Sequence, residues 1–198
     1  MLKSNILIRI FILFVLSLGH CIADDFLAKI TVRLTQTANT QGSFQQEKHL
    51  KFLRKPLLST GTFTYDQNKG VIWKTISPIP SLLLINDELL LTAQGEQALP
   101  PAFGRVFKAL LGGELNHLAE DFEIIGKEQK TSWQLQLTPK DELLKKAIKT
   151  ILLSGDSELR LLELQEANSN LTRIKFSEIS HPDRLSNEQQ AEFERLSP

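Results

Sequence analysis

The chain has 198 residues, with 23 Lys+Arg against 23 Asp+Glu, 41% hydrophobic residues and a single cysteine, Cys21. This composition excludes disordered, collagen-like and disulfide-scaffold classes and sets one globular domain as the starting point. A formal net charge of zero leaves no counterion-release term to drive nucleic-acid binding, so nucleic acid is not an expected partner.

The first 23 residues read as a secretory leader. Lys3 and Arg9 precede the apolar run Ile10–Leu18, and Cys21-Ile22-Ala23 places small side chains three residues and one residue before a cut, which makes Asp24 the mature N-terminus. The apolar run is too short for the ~20 residues that cross a bilayer. A lipoprotein leader also ends at a cysteine, but the residue before Cys21 is His20, where lipid attachment wants a small side chain. Cutting after Ala23 leaves residues 24–198 as a single cysteine-free domain, long enough to bury roughly 70% of its unfolded surface without a staple.

In chain order the remainder reads helix, strands, helix, strands, helix. Asp24 and Asp25 can cap a first helix in which Phe26, Leu27, Ile30 and Leu34 form one apolar stripe. From Gly42 the period becomes two, with Phe44, Gln46, Lys48 and Leu50 on one face, and a further strand begins at Leu57 after Pro56. Gly61–Tyr65 and Val71–Thr75 flank the turn cluster 66–70 as a hairpin closed by Pro78 and Pro80. Ser81–Ile85 and Glu88–Thr92 pair across Asn86-Asp87.

After Pro100-Pro101, the residues Phe103, Val106, Phe107, Leu110 and Leu111 recur at helical spacing until Gly112-Gly113. Strands are expected at Asp121–Lys127, Ser132–Thr138 and Lys149–Leu153, with a helical turn in Asp141–Ile148. Glu158–Leu164 and Leu171–Phe176 make a last hairpin, and Ser186–Leu196 a short polar helix. Short turns between most strands predict an antiparallel sheet in an α+β fold, with the first two helices laid on its concave face.

No reactive constellation is legible. His20, His49, His117 and His181 stand far apart, without a zinc or calcium pattern, so no metal and no cofactor is expected. No nucleophile elbow, phosphate loop or dinucleotide fingerprint is present. Ser154-Gly155-Asp156 reads as a turn, and Glu120, Asp121 and Glu123 are carboxylates that nothing places in a cleft. Asn170-Leu171-Thr172 fits a glycosylation acceptor, meaningful only in a eukaryotic secretory route. The chain is therefore not expected to be an enzyme. Its surplus of aromatic and leucine side chains is, taken alone, an ordinary core.

The order and spacing of several short motifs add to that reading. Phe44-x-Gln46, Gly61-x-Phe63, Trp73 ahead of Ser77-Pro78, Leu83–Ile85 before Asn86-Asp87, Ala109-Leu110-Leu111-Gly112-Gly113, Trp133-x-Leu135-x-Leu137-Thr138-Pro139 and Asn170-Leu171-Thr172-x-Ile174-x-Phe176 together resemble the outer-membrane lipoprotein carrier family, LolA. The resemblance implies an incomplete barrel, strongly curved, whose hollow is covered by helices and receives the acyl chains of a lipoprotein or related lipid. It implies a periplasmic, monomeric carrier without catalysis, loaded by an inner-membrane donor complex, unloaded by an outer-membrane acceptor, and touching membranes transiently.

On this reading Phe26, Ile30, Leu34, Phe103, Phe107, Leu110 and Leu111 form a lid, while Phe63, Tyr65, Val71, Trp73, Leu83 and Ile85 line the sheet side. Alternation says which residues share a face and leaves open which face looks inward. Where such carriers have Arg-Pro in the turn before the tryptophan strand, this chain has Gln67-Asn68, so the lid latch is expected at a neutral Gln67. Two alternatives remain: an outer-membrane lipid receptor of the same shape, and a protein-binding module that takes no lipid.

Overall fold

The computed structural model describes residues 20–34, 37–86, 89–92, 95–98, 101–113 and 115–195. The leader expected at 1–23 therefore lies outside the described residues up to position 19. From His20 the chain is already helical, and α1 runs His20–Arg33. Asp24 and Asp25 thus sit inside this helix and do not start it. Cys21-Ile22-Ala23 contains no helix-breaking residue, so nothing stops the helix from extending upstream of Asp24.

Eleven strands make one sheet: β1 (Asn39–His49), β2 (Leu57–Asp66), β3 (Gly70–Ser77), β4 (Ser81–Ile85), β5 (Leu89–Thr92), β6 (Gly95–Ala98), β7 (Phe122–Glu128), β8 (Trp133–Pro139), β9 (Ile148–Gly155), β10 (Leu159–Glu166) and β11 (Leu171–Ser180). Their order is β6-β5-β4-β3-β2-β1-β11-β10-β9-β8-β7, with neighbours antiparallel. β6 and β7 are the two edges, so the sheet is an open, incomplete barrel. Two meanders meet at its centre, where β1 pairs with β11 in the register Phe44↔Phe176.

β6 was not foreseen. Gly95-Glu96-Gln97-Ala98 has no apolar alternation, and an edge strand with one partner needs none.

The helices divide between the two faces. α2 (Pro101–Gly112) and α1 both lie on the concave face, where their apolar stripes join one core with the strands. Gly113, at positive φ, ends α2. A 3₁₀ turn, Leu115–His117, and the one-turn α3, Leu118–Asp121, follow as separate pieces that bury Leu115 and Leu118. α4 (Glu142–Lys145) is the expected turn, N-capped by Asp141, whose carboxylate accepts from the Leu143 and Leu144 N–H groups.

α5 (Asn187–Glu194) starts with a Ser186/Gln189 capping box and packs on the opposite, convex face. Its one large apolar residue, Phe193, is 1% exposed and joins Ile72, Leu84 and Leu185 there. Lys74 Nζ reaches Glu188 and Glu192 at 3.2 and 3.4 Å, fastening this polar helix to β3.

Curvature is built by cross-strand pairs of glycine with phenylalanine. Gly42 faces Phe63 and Phe44 faces Gly61 across β1 and β2. A Cβ on Gly61 would stand 2.7 Å from Phe44 Cζ, and one on Gly42 would stand 2.8 Å from Phe63 Cε1. The rings lie flat across the bare glycines and the strands can bend toward them. Strands β3 and β11 would be about 14 Å apart in a flat sheet. Even so, the Trp73 and Phe176 rings meet edge to face at 6.3 Å, because the sheet curls and the side chains lean into the hollow.

Candidate functional site: the apolar concave face

The period of two along β2, β3 and β4 sorts alternate side chains to opposite faces. In β3, Val71 and Trp73 point into the concave core while Ile72 points to the convex one. The register Val71↔Ile85, Trp73↔Leu83 and Phe63↔Trp73 carries the same parity through the neighbouring strands. Phe63, Tyr65, Val71, Trp73 and Ile85 are buried on the concave face, and Leu83 packs against them partly buried.

From the helices, Ile30, Leu34, Leu110 and Leu111 enter the same core, and Phe26 packs at its margin. Phe103 and Phe107 belong to α2, but their side chains lie outside the described ones.

Several residues outside that set line the same surface. Phe44 stacks on Trp73 at 4.0 Å, and Phe63 meets Phe176 edge to face at 5.5 Å, giving a four-ring cluster at the floor of the cup. Trp133, Leu135 and Leu137 of β8 with Ile151 and Leu153 of β9 continue it toward the other edge. The centre of the face is apolar: among the described residues no charged side chain is buried in this core, and Lys48 and Glu166, which share the parity of Phe44 and Leu164, pair toward its rim at 3.4 Å. Among the described residues no cluster of His, Cys, Asp and Glu could hold a metal.

Among the described residues, side chains of both helices pack directly on the floor of the hollow. Trp73, Leu110 and Leu111 are each under one-tenth exposed, and α2 approaches so closely that a Cβ on Gly112 would stand 2.4 Å from the Tyr65 hydroxyl. At α1, the Phe26 ring occupies the space of the missing Gly126 side chain on β7, with Cε1 1.7 Å from where a Cβ would be. Two clefts that open on the surface lie on the convex face. One of about 190 Å³ lies between Gln134, Gln136, Leu152 and Ser154, and another of about 300 Å³ between Gln41, Ser43, Thr62 and Glu178.

α1 is tied down at its C-terminal end. Arg33 Nη1 donates to Glu128 Oε1 at 2.8 Å and to the Gln129 carbonyl at 3.3 Å, while Nη2 donates to the Lys130 carbonyl at 2.9 Å, so one guanidinium grips the β7–β8 turn. The following connection into β1 is held by His181, whose Nδ1 lies 2.9 Å from Thr37 Oγ1 and whose Nε2 lies 2.8 Å from Glu158 Oε1. The Thr37 hydroxyl donates onward to the Asn39 carbonyl at 2.9 Å. The Thr37–His181–Glu158 series ties this connection to the start of β10. Asn39 Nδ2 adds a bond to the Pro182 carbonyl at 3.2 Å.

Gln67, the expected latch, lies in the exposed β2–β3 turn, and its backbone N–H donates to the Ala38 carbonyl at 2.9 Å in that same connection. A cation that anchors α1 is Arg33, on the helix itself. Its spacing from Glu128 carries no local signal, and only the fold brings the two together.

Residues 23–179 match the family model described as outer membrane lipoprotein carrier protein LolA-like. The chain belongs to this family. No curated protein matches it by sequence. Among solved structures, it is similar to a LolA superfamily protein from Nitrosomonas europaea, at 11% identity, 84% of this chain, 96% of that chain and a TM-score of 0.51. It is also similar to a domain titled a putative outer membrane lipoprotein-sorting protein from Vibrio parahaemolyticus, at 9% identity, 88% of this chain, 97% of that chain and a TM-score of 0.50. At these identities the likeness is one of fold, and it establishes the LolA-like architecture of an open antiparallel sheet with helices on its concave face.

Proposed function

We propose that this LolA-like protein is a periplasmic carrier which holds the acyl chains of a lipoprotein or related lipid against its concave face and moves them between the inner and outer membranes. The observation that carries the reading is the apolar core of the concave face, in which no charged side chain is buried among the described residues, roofed by two helices that are separate in sequence. On this proposal the leader is removed after Ala23, shortening α1 to Asp24–Arg33, and the carrier is monomeric, receives cargo from an inner-membrane donor and yields it to an outer-membrane acceptor.

The energetics suit a reversible carrier. A fully enclosed chain of some fifteen methylenes gains about 12 kcal/mol on leaving water. The lid side chains Leu27, Ile30, Leu34, Val106, Leu110 and Leu111 are all buried in the empty protein, and at about 2 kcal/mol each their burial is worth a similar sum. Cargo that lifts the lid replaces one set of apolar contacts by another, so the net gain stays small enough for release. Phe26, Ile30, Leu34, Phe103, Phe107, Leu110 and Leu111 then serve as the moving wall, and Phe63, Tyr65, Val71, Trp73, Leu83 and Ile85 as the fixed one. Arg33 and the Gln67 turn hold the moving wall closed.

The test is native purification from the periplasm followed by organic extraction and mass spectrometry. Co-purifying acylated species, lost in a variant with Leu110→Glu in the lid, are expected. Recovery of none from several growth conditions would refute the proposal in favour of a protein-binding module. Intact mass of the mature chain checks the cut after Ala23, and a lipidated Cys21 would instead indicate a membrane-anchored receptor.

A further inference from the structure

Seven of the large apolar residues that stay exposed gather at one end of the sheet. The register sets the β1–β2 loop, the β3–β4 turn and α4 at that end, opposite the end where α1 enters β1. Phe52 and Leu53 project from the first loop, Leu57 and Leu58 from the start of β2, Ile76 from the end of β3, Ile79 from the β3–β4 turn and Leu143 from α4, with Phe52 80% and Ile79 76% exposed. Pro56 in the first loop and Pro78 and Pro80 around Ile79 stiffen both.

The same loop concentrates positive charge in a chain whose total is zero. Residues 48–58 read KHLKFLRKPLL, with no Asp or Glu. Lys48 is paired with Glu166 at 3.4 Å, but Lys51, Arg54 and Lys55 are exposed, and among the described residues their side chains have no ion-pair partner.

We propose that this end of the sheet is a docking surface for a bilayer rich in anionic phospholipid, with Lys51, Arg54 and Lys55 on the headgroups and Phe52, Leu57, Leu58 and Ile79 entering the hydrocarbon boundary. The charge pattern selects this occupant. Unpaired cations interleaved with large apolar side chains at one end of the sheet match a surface that carries negative charge at the water boundary and hydrocarbon a few ångströms deeper. The inference stands apart from the acyl-carrier reading, because it concerns the outside of the rim and requires no cargo.

Sedimentation with vesicles tests it, using the protein as the cell exports and processes it. Binding to phosphatidylethanolamine vesicles containing one-quarter phosphatidylglycerol is expected, with little binding to pure phosphatidylcholine and release at high salt. Replacing Lys51, Arg54 and Lys55 together by glutamine should weaken partitioning on the order of 100-fold, and Phe52→Ser with Leu58→Ser at least tenfold. Amide exchange of the wild type should slow in residues 50–58 and 76–81 when anionic vesicles are added. Equal binding to both lipid compositions, undiminished binding by the glutamine variant, or protection confined to other segments would each overturn the proposal. Absence of binding would overturn it as well and assign the patch to a protein partner. Because this assay is run without cargo, its failure leaves the lipid-extraction result untouched.

Discussion

Gly126→Ala probes the lid more selectively than any substitution in the floor of the cup. A methyl group there would fall 1.7 Å from Phe26 Cε1, so the ring of Phe26 must leave its seat on β7. Fully burying a phenylalanine is worth about 1.5–3 kcal/mol. Phe26 is only partly buried, so about 1–1.5 kcal/mol of closing free energy is lost, which raises the open fraction of α1 roughly 5- to 10-fold. Amide exchange of residues 20–33 reads this directly, and the rest of the sheet should keep its protection.

The decisive control is Phe26→Ala. With the ring gone, Gly126→Ala should become neutral or slightly stabilising, since alanine in a strand avoids the entropy loss of glycine. The same substitution thus reverses its effect between the two backgrounds. If Gly126→Ala leaves α1 exchange unchanged in the wild type, or destabilises equally without Phe26, α1 is not held on β7 by this contact and the lid argument fails.

Arg33→Gln removes the guanidinium that grips the β7–β8 turn and should loosen α1 by about 1 kcal/mol, seen as faster exchange at its C-terminal turn; unchanged exchange would discount the latch. Gln67→Arg should act the other way, slowing uptake of a fluorescent fatty acid by strengthening closure at the β2–β3 turn, and faster uptake would refute a latch there. Trp73→Ala should cost about 3–5 kcal/mol of global stability in denaturant titration, because the indole stacks on Phe44; a cost under 1 kcal/mol would show the ring cluster to be dispensable.

pH dependence follows from three groups. Partial burial pushes the Asp156 and Glu166 carboxyls up. Hydrogen bonds from Arg160 and the Glu158 N–H at Asp156, and from Asn170 and Asn168 with the Lys48 charge at Glu166, outweigh it and hold both below their ordinary 3.8 and 4.5. Their stabilisation is present above those values and lost as pH falls through the lower folded ones. Lys74 is held above its ordinary 10.5, first by its hydrogen bond to Glu188 and then by the Glu192 charge, with burial opposing. Its contribution is present below 10.5 and disappears as pH rises through the higher folded value. Denaturation across pH should therefore show an acid limb flattened by Asp156→Asn with Glu166→Gln, and an alkaline limb flattened by Lys74→Met. Unaltered limbs would refute these assignments.

Local pattern by itself determined the strands other than β6, most of the turns and the α+β class, because a period of two and turn residues such as Asp66–Gly70 act over a few residues. It also settled which of Phe63, Tyr65, Val71, Trp73, Leu83 and Ile85 share a face, since short hairpins carry parity from strand to strand. Local pattern could not reveal the Phe44↔Phe176 pairing that joins the two meanders, the seating of Phe26 on Gly126, or the Arg33–Glu128 grip across 95 residues. Nor could it place α5 on the convex face, where a single phenylalanine anchors a polar helix. These depend on how far the sheet curls and where its edges stop, and curl is a property of the assembled strands. The packing of α1 and α2 on the concave face belongs to the same class, because it depends on all the helix and sheet contacts acting together.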